Sequence, residues 1–290
     1  MRNKDFSLKK HNFFEILRKV LLNVLVVVVL IIILFPIVWM IPSAFKTADT
    51  VFEIPVTWWP KEFTFENFTK LFTPSVYEKW DFTSSFFATL GVSASAVILS
   101  LFFNMLTAYV FARLEFRGKK FLWPYFLFSM FVPGITILLT SYKVVSDLKM
   151  LDTFWGLLLP GVLTSYNVFF FRQFFLSLPA SLEEAADIDG LNPFAIFIRL
   201  FIPLAITPMI VQGASVFMGY WNSLLWPTLI ITKETGLMQM MQIIRTLNER
   251  YPEQYGIVIA ATLLSMVGPL VMFLFAQKKI IQGISITGLK

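Results

Sequence analysis

The 290 residues are 57% apolar, 17% aromatic and only 14% charged, with a mean hydropathy of +0.72 and a net charge of +6. Soluble domains carry about a quarter charged residues, so this chain has too few charges to cover a water-facing surface, which excludes a soluble enzyme and a disordered chain alike. With no cysteine and one histidine, His11, it lacks the parts for disulfides, thiolate or histidine metal clusters and Cys- or His-based catalytic triads.

The charges fall into seven clusters, separated by charge-free stretches at 20–45, 82–112, 121–142, 153–171, 200–232 and 254–277. Each is long enough to cross a hydrocarbon core of about 30 Å as a helix. The pattern predicts an all-α, polytopic membrane fold with six transmembrane helices near 20–43, 84–112, 121–141, 154–171, 206–229 and 256–276. Six spans put both termini on one side. Lys and Arg number 15 in the tails and the loops on that side, against nine in the other loops. By the positive-inside rule both termini are expected in the cytoplasm. The basic balance is then a topology signal and no nucleic-acid partner is expected.

In chain order, 1–19 reads as a cytoplasmic tail. The apolar run Val20 to Trp39 exceeds a signal-peptide core and no A-x-A site follows, so the first span is expected to stay as a membrane helix. The six-helix membrane domain covers 20–277, with external loops at 44–82 and 230–255 and a long cytoplasmic loop at 173–205; 278–290 is a basic cytoplasmic tail. Trp58, Trp59, Trp80, Trp123, Trp155, Trp221 and Trp226 lie near predicted span ends, where interfacial aromatics collect. In the last external loop Met238, Met241, Ile244 and Leu247 recur at helical spacing, as in a helix with one apolar face.

No span contains Asp, Glu, Lys, Arg or His, the groups that proton- or sodium-coupled transporters and voltage sensors use at membrane depth. No G-x-x-x-x-G-K-S/T loop is present, so driven transport needs its energy from another polypeptide. The spans do carry neutral polar residues and helix breakers, including Asn104, Pro133, Gly134, Thr136, Thr140, Ser141, Ser165, Asn167, Gln212, Ser215, Tyr220 and Asn222. One reading is interhelical packing. The other, centred on Asn104, Ser165, Asn167, Gln212, Tyr220 and Asn222, is an uncharged, hydrogen-bonding path suited to sugars, whose hydroxyls need polar partners and whose ring faces stack on aromatics.

The loop after the fourth span spells two short helices. Ser181 followed by Glu184 forms a capping box that starts a helix near Leu182. Gly190 stops it. Asn192 then caps a second helix with Pro193 at its first position, and Pro203 ends or kinks that one into the fifth span. On the first helix Leu182, Ala185, Ala186 and Asp189 share one thin face that fits a groove. The plainer reading is a loop helix lying on its own membrane domain, with Glu184 serving only as a cap.

Glu184-Ala185-Ala186, Gly190 and Leu200-Phe201-Ile202-Pro203 resemble the EAA motif of ATP-binding-cassette importer permeases, with spacing kept throughout and Leu200 and Ile202 as conservative exchanges. Further matches point to the maltose-type, MalG-like carbohydrate branch. Ala108-Tyr109-Val110-Phe111-Ala112-Arg113 with Phe116 and Gly118 is similar to its A-Y-x-x-A-R-x-x-F-x-G. Leu151 to Leu157, Trp221-Asn222 with Leu225-Trp226-Pro227, and the tail from Gln277 to Lys290 are similar to further motifs of that branch. Where the branch often has a second proline after the position of Pro133, this chain has Leu139-Thr140-Ser141-Tyr142.

The resemblance implies the fold of a type I importer and a non-catalytic permease subunit in a bacterial cytoplasmic membrane. Its implied partners are a second permease subunit, usually forming a heterodimer, two ATP-binding-cassette ATPase subunits, an extracellular solute-binding protein and the bilayer. ATP and Mg would bind in the ATPases, with no cofactor and no metal held by this chain. Residues 182–189 would be the coupling helix, and Ser181, Glu183, Glu184, Ala185, Ala186, Asp187, Asp189, Gly190 and Pro203 the coupling set, Glu184 being favoured for a specific ion pair. The expected cargo is an oligosaccharide moved by alternating access. The alternatives are an importer subunit for glycerol phosphate or a polyamine, and a standalone channel or scaffold.

Overall fold

The computed structural model describes residues 2–73, 81–233, 236–250 and 253–287, with side chains between 15 and 279. The described residues form no strand. In chain order the helices are α1 (Arg2–Ser43), α2 (Glu66–Phe72), α3 (Phe82–Arg113), α4 (Lys119–Phe128), α5 (Gly134–Asp147), α6 (Phe154–Leu158), α7 (Ser165–Leu176), α8 (Ser181–Ile188), α9 (Pro193–Ile196), α10 (Ile202–Leu204), α11 (Ile206–Trp221), α12 (Leu225–Ile230), α13 (Met240–Arg250), α14 (Tyr255–Ser265) and α15 (Val267–Thr287). They group into two compact units, one of residues 1–70 with 251–263 and one of 71–250 with 264–290.

Three segments are long and apolar enough to cross a membrane directly: Glu15–Ser43, Phe82–Arg113 and Tyr255–Lys279. The other three spans are bent pairs: Lys119–Phe131 with Gly134–Asp147 at 106°, Phe154–Gly161 with Ser165–Leu176 at 49°, and Pro193–Leu204 with Ile206–Trp221 at 81°. The sequence predicted single helices for the first two; for the third it predicted that Pro203 ends or kinks the loop helix into the fifth span, which is where the break lies. At the first break Val132 is extended (φ −77°, ψ 121°), because the ring of Pro133 disfavours helical backbone in the residue before it. At the second, Thr164 is extended and its hydroxyl oxygen accepts from the Asn167 N–H, which caps α7. At the third, a π-helical turn over Phe197–Phe201 precedes Pro203, which has no N–H to return to the preceding turn. The predicted fifth span, 206–229, is also divided, into α11 and α12.

In the first unit, the apolar window of α1 buries no side chain. Asn67 Nδ2 donates to the carbonyls of Ala44 and Lys46, both at 2.8 Å. A Cβ on Gly256 would lie 2.5 Å from that amide, so only glycine leaves room for it. Phe45 stacks on Phe63 at 4.6 Å and meets Phe65 and Phe68, so the aromatics of this segment cluster with one another. Trp58 and Trp59 stay exposed.

In the second unit α3 packs against α7 and α11, and α11 packs against α15. Trp221, expected at an interface, is instead fully buried in this core; its indole N–H donates to the Ser265 carbonyl at 2.9 Å. Gly268 makes this possible, since a Cβ there would fall 2.3 Å from the indole ring. Trp226 is half-buried and donates to the Gly156 carbonyl, and Trp123 lies under the Arg172 guanidinium. Trp80 lies outside the described residues. On α13 the buried face is Met240, Ile243 and Leu247, with Gln242 beside it. Of the predicted stripe Leu247 is buried and Met238, Met241 and Ile244 are half-buried; the Met240 N–H at the start of the helix donates to the buried Thr89 hydroxyl.

Candidate functional site

Two features of the second unit carry the predicted residues: the loop around α8 and a cavity among the broken spans.

The loop is built by local chemistry. Gly190 has φ +76°, a left-handed conformation that favours glycine. The Leu191 N–H donates to the Ala186 carbonyl and the Gly190 N–H to that of Asp187, the paired bonds of a Schellman stop. Asn192 Oδ1 accepts from the Ala195 N–H at 2.8 Å, with Pro193 next in line, as predicted. The start of α8 differs from expectation. Pro179 and Ala180 already turn, so the Leu182 and Glu183 N–H groups donate to their carbonyls and the helix begins at Ser181. Ala180 is the N-cap and no side chain caps the helix, so the Ser181–Glu184 capping box is not formed. Ser181→Ala is accordingly expected to change stability by less than about 0.5 kcal/mol, as read by thermal unfolding in detergent.

Of the predicted thin face on α8, Leu182, Ala185 and Asp189 are exposed and Ala186 is not. Ala186 is buried and Glu183 is half-buried, both turned toward the rest of the unit. Leu182, Glu184, Ala185, Asp187, Ile188 and Asp189 are exposed, Ile188 by 86%. Glu183 sits with its Oε2 3.8 Å from Arg113 Nε and its Oε1 3.4 Å from the Tyr109 hydroxyl. Burial pushes its carboxyl above the ordinary range, while Arg113 works in the opposite direction. The resemblance places Glu183 in the coupling set and favours Glu184 for the specific ion pair; in the structure Glu183 faces Arg113 and Tyr109 of its own chain. The signal lay in Tyr109 and Arg113, four residues apart and so on one face of α3.

The cavity, about 420 Å³, lies among α3, α5, α6, α7, α11 and α12. Its polar lining is Ser141, Thr164, Asn167, Ser215, Tyr220, Ser223 and Gln239; Val92, Ile137, Leu157 and Trp226 supply apolar wall. Among the described residues no charged side chain lines it. The Tyr220 hydroxyl donates to the Leu158 carbonyl at 2.8 Å. A Cβ on Gly161 would lie 2.4 Å from that hydroxyl, so glycine lets the phenol reach the break in the fourth span.

The six predicted path residues separate here. Asn167 and Tyr220 line the cavity. Asn104 does not: it is fully buried, and its amide donates to Ser100 and to the Val162 carbonyl while its Oδ1 accepts from the Thr164 N–H. It holds the unwound break of the fourth span, which is the packing reading of that residue. Ser165 shares a hydrogen bond with Ser129 at 2.5 Å, joining the third and fourth spans. Gln212 is buried with its Nε2 unpartnered, and Asn222 is exposed at the end of α11; neither lines the cavity. Ser141, Ser215, Thr164 and Gln239 line it instead. Outside the lining, Asp152 accepts from the Thr232 and Lys233 N–H groups at 2.7 and 3.0 Å. Desolvation opposes ionisation of Asp152, but these bonds hold its carboxyl below the usual range. Among the described residues no group of three or more His, Asp or Glu is placed to hold a metal.

Comparison with known proteins gives the same picture. A family model described as "Binding-protein-dependent transport system inner membrane component" matches residues 104–278, more than half of the chain. The arabinooligosaccharides transport system permease protein AraQ of Bacillus subtilis is 30% identical over 263 residues, covering 89% of this chain and 90% of the relative. The sn-glycerol-3-phosphate transport system permease protein UgpE of Salmonella choleraesuis is 30% identical over 260 residues, covering 87% and 90%. Among solved structures, a bacterial ABC transporter involved in the import of the acidic polysaccharide alginate shares the fold, with a TM-score of 0.77 and 22% identity over 92% of this chain and 96% of that one. Six apolar spans, three of them broken around an uncharged cavity, thus belong to a multi-pass protein of the cytoplasmic membrane. The chain is a member of the binding-protein-dependent transport system inner membrane component family, the non-catalytic permease subunits of ABC importers.

Proposed function

We propose that this permease moves an oligosaccharide, delivered by an extracellular solute-binding protein, through a gate formed with a second permease subunit and driven by two ATPase subunits that bind the ATP and Mg. The observation that carries the substrate class is the cavity lining. Hydroxyls, amides and aromatic faces without a charge suit a neutral sugar. A phosphate ester would need cationic partners, which the lining does not offer. AraQ, at 30% identity, supports the same class.

In this reading both termini and the 173–205 loop are cytoplasmic, 44–82 and 230–255 are external, and 278–290 is a cytoplasmic tail. Residues 288–290 of that tail lie outside the described residues. The exposed face of α8, with Leu182 and Ile188 apolar and Glu184, Asp187 and Asp189 acidic, is the surface offered to an ATPase groove. Ala185 keeps that surface thin, Ala186 roots it, Gly190 ends it, and Pro203 turns the chain into α11. Closure of the ATPases moves α8, and the bent spans change the access of the cavity.

The test is reconstitution. The chain is purified with its ATPases and second permease, placed in liposomes, and supplied with a loaded binding protein. ATP-dependent uptake of labelled neutral oligosaccharide, without uptake of glycerol phosphate or a polyamine, is the expected result. Uptake of glycerol phosphate or a polyamine in its place would overturn the substrate class. A functional oligomer of this chain alone would overturn the importer reading.

A further inference from the structure

Arg113, the last residue of α3, has a side chain only 10% exposed although it is charged. Its Nη2 donates to the carbonyls of Phe175 and Leu178 at 2.5 and 2.7 Å. Phe175 lies in the last turn of α7, where helix carbonyls have no partner within the helix. The guanidinium also lies 5.3 Å from the ring centre of Phe201, in the turn that leads into α11. Its Nε finds no hydrogen-bond partner, and the carboxylate facing it is that of Glu183, 3.8 Å away. Tyr109, one turn earlier on α3, is 2% exposed, packs its ring at 4.8 Å on Phe201 and places its hydroxyl 3.4 Å from the same carboxylate.

One cation therefore meets four segments: α3, the end of α7, the approach to α11, and α8. Three of these are span ends, and the fourth is the short exposed helix. On α8, Glu183 and Glu184 are neighbours, about 100° apart around the axis. One points inward to this cluster and the other outward.

We propose that Glu183 is a positioning residue for transport: through Arg113 and Tyr109 it ties α8 to the ends of the spans, so that a displacement of α8 moves α3, α7 and α11 together. This rests on the importer reading above. The division of labour is then between adjacent carboxylates. Glu184 belongs to the surface offered to the partner, and Glu183 carries the resulting movement into the membrane. Glutamine at 183 keeps the shape and a hydrogen-bonding group for Tyr109, but the attraction to Arg113 is lost, and with it the stiff link.

The experiment uses the complete transporter in liposomes with loaded binding protein. Solute imported and ATP hydrolysed are measured together for wild type, Glu183→Gln, Arg113→Gln and the double variant. We expect Glu183→Gln to assemble at wild-type yield and to hydrolyse ATP, but to import about tenfold less solute per ATP. We also expect the double variant to be no worse than Arg113→Gln alone, since the two residues act as one link. A solute-to-ATP ratio within about twofold of wild type would overturn the proposal. So would independent, additive losses, or a Glu183→Gln defect that is wholly loss of assembled complex. If wild type itself shows no ATP-dependent uptake, the importer reading fails first. If wild type works and Glu183→Gln matches it, only the link fails.

Discussion

Asn104→Leu is expected to destabilise the protein by about 3–5 kcal/mol, because it strips partners from backbone groups in a dry interior. The Asn104 side chain is fully buried, donates to the Val162 carbonyl at 2.7 Å and to Ser100, and accepts from the Thr164 N–H at 2.9 Å. Val162 and Thr164 sit where the fourth span is unwound, so their backbone groups have lost the helical partners that membrane depth demands. Leucine has a similar volume and leaves both groups orphaned, each loss being worth about 1–3 kcal/mol. Thermal unfolding in detergent measures the effect. An unchanged midpoint would mean that water or another group satisfies the break and that Asn104 is free for another role.

Gly219→Trp is expected to cut import by more than about tenfold while leaving the folded complex intact. Gly219 lines the cavity, and a Cβ there meets nothing within 4 Å. Replacing a helix-interior glycine favours the helix by up to about 1 kcal/mol, so the backbone has no reason to yield. The indole instead takes up space in a cavity of about 420 Å³. Uptake and complex yield are measured side by side. Gly91 is the control: it is equally open but lies outside the lining, and Gly91→Trp should import near the wild-type rate. Unimpaired import in Gly219→Trp would place the solute path elsewhere.

The two variants separate roles that the sequence left merged. Asn104, Asn167 and Tyr220 all read as neutral polar residues in apolar spans, with packing and substrate contact both open. In the structure Asn104 is committed to a backbone break, whereas Asn167 and Tyr220 face the cavity. On α3 the small polar residues Ser85, Thr89, Ser93, Ser100 and Asn104 share the buried face, so they mark the inward side but not which of them meets a neighbouring helix and which faces the cavity. Trp221 shows the same limit. Its position near a span end suggested an interface, but Gly268 on α15 opens a slot that takes the indole into the core.

What the sequence determined alone was whatever depends on composition and near neighbours. The run lengths between charges set the six spans, because an unpaired charge does not stay at membrane depth. Asn192 with Pro193, and Gly190 with its left-handed backbone, set the second helix start and the first helix stop in the loop, since a cap needs only residues three or four apart. Tertiary structure decided the rest. It bent the third and fourth spans, drew Arg113 from the end of one helix to Glu183 seventy positions later, and turned Glu184 outward. Those outcomes depend on how each helix is rotated and docked on its neighbours, and that rotation is set by steric fit and buried hydrogen bonds between residues far apart in the chain.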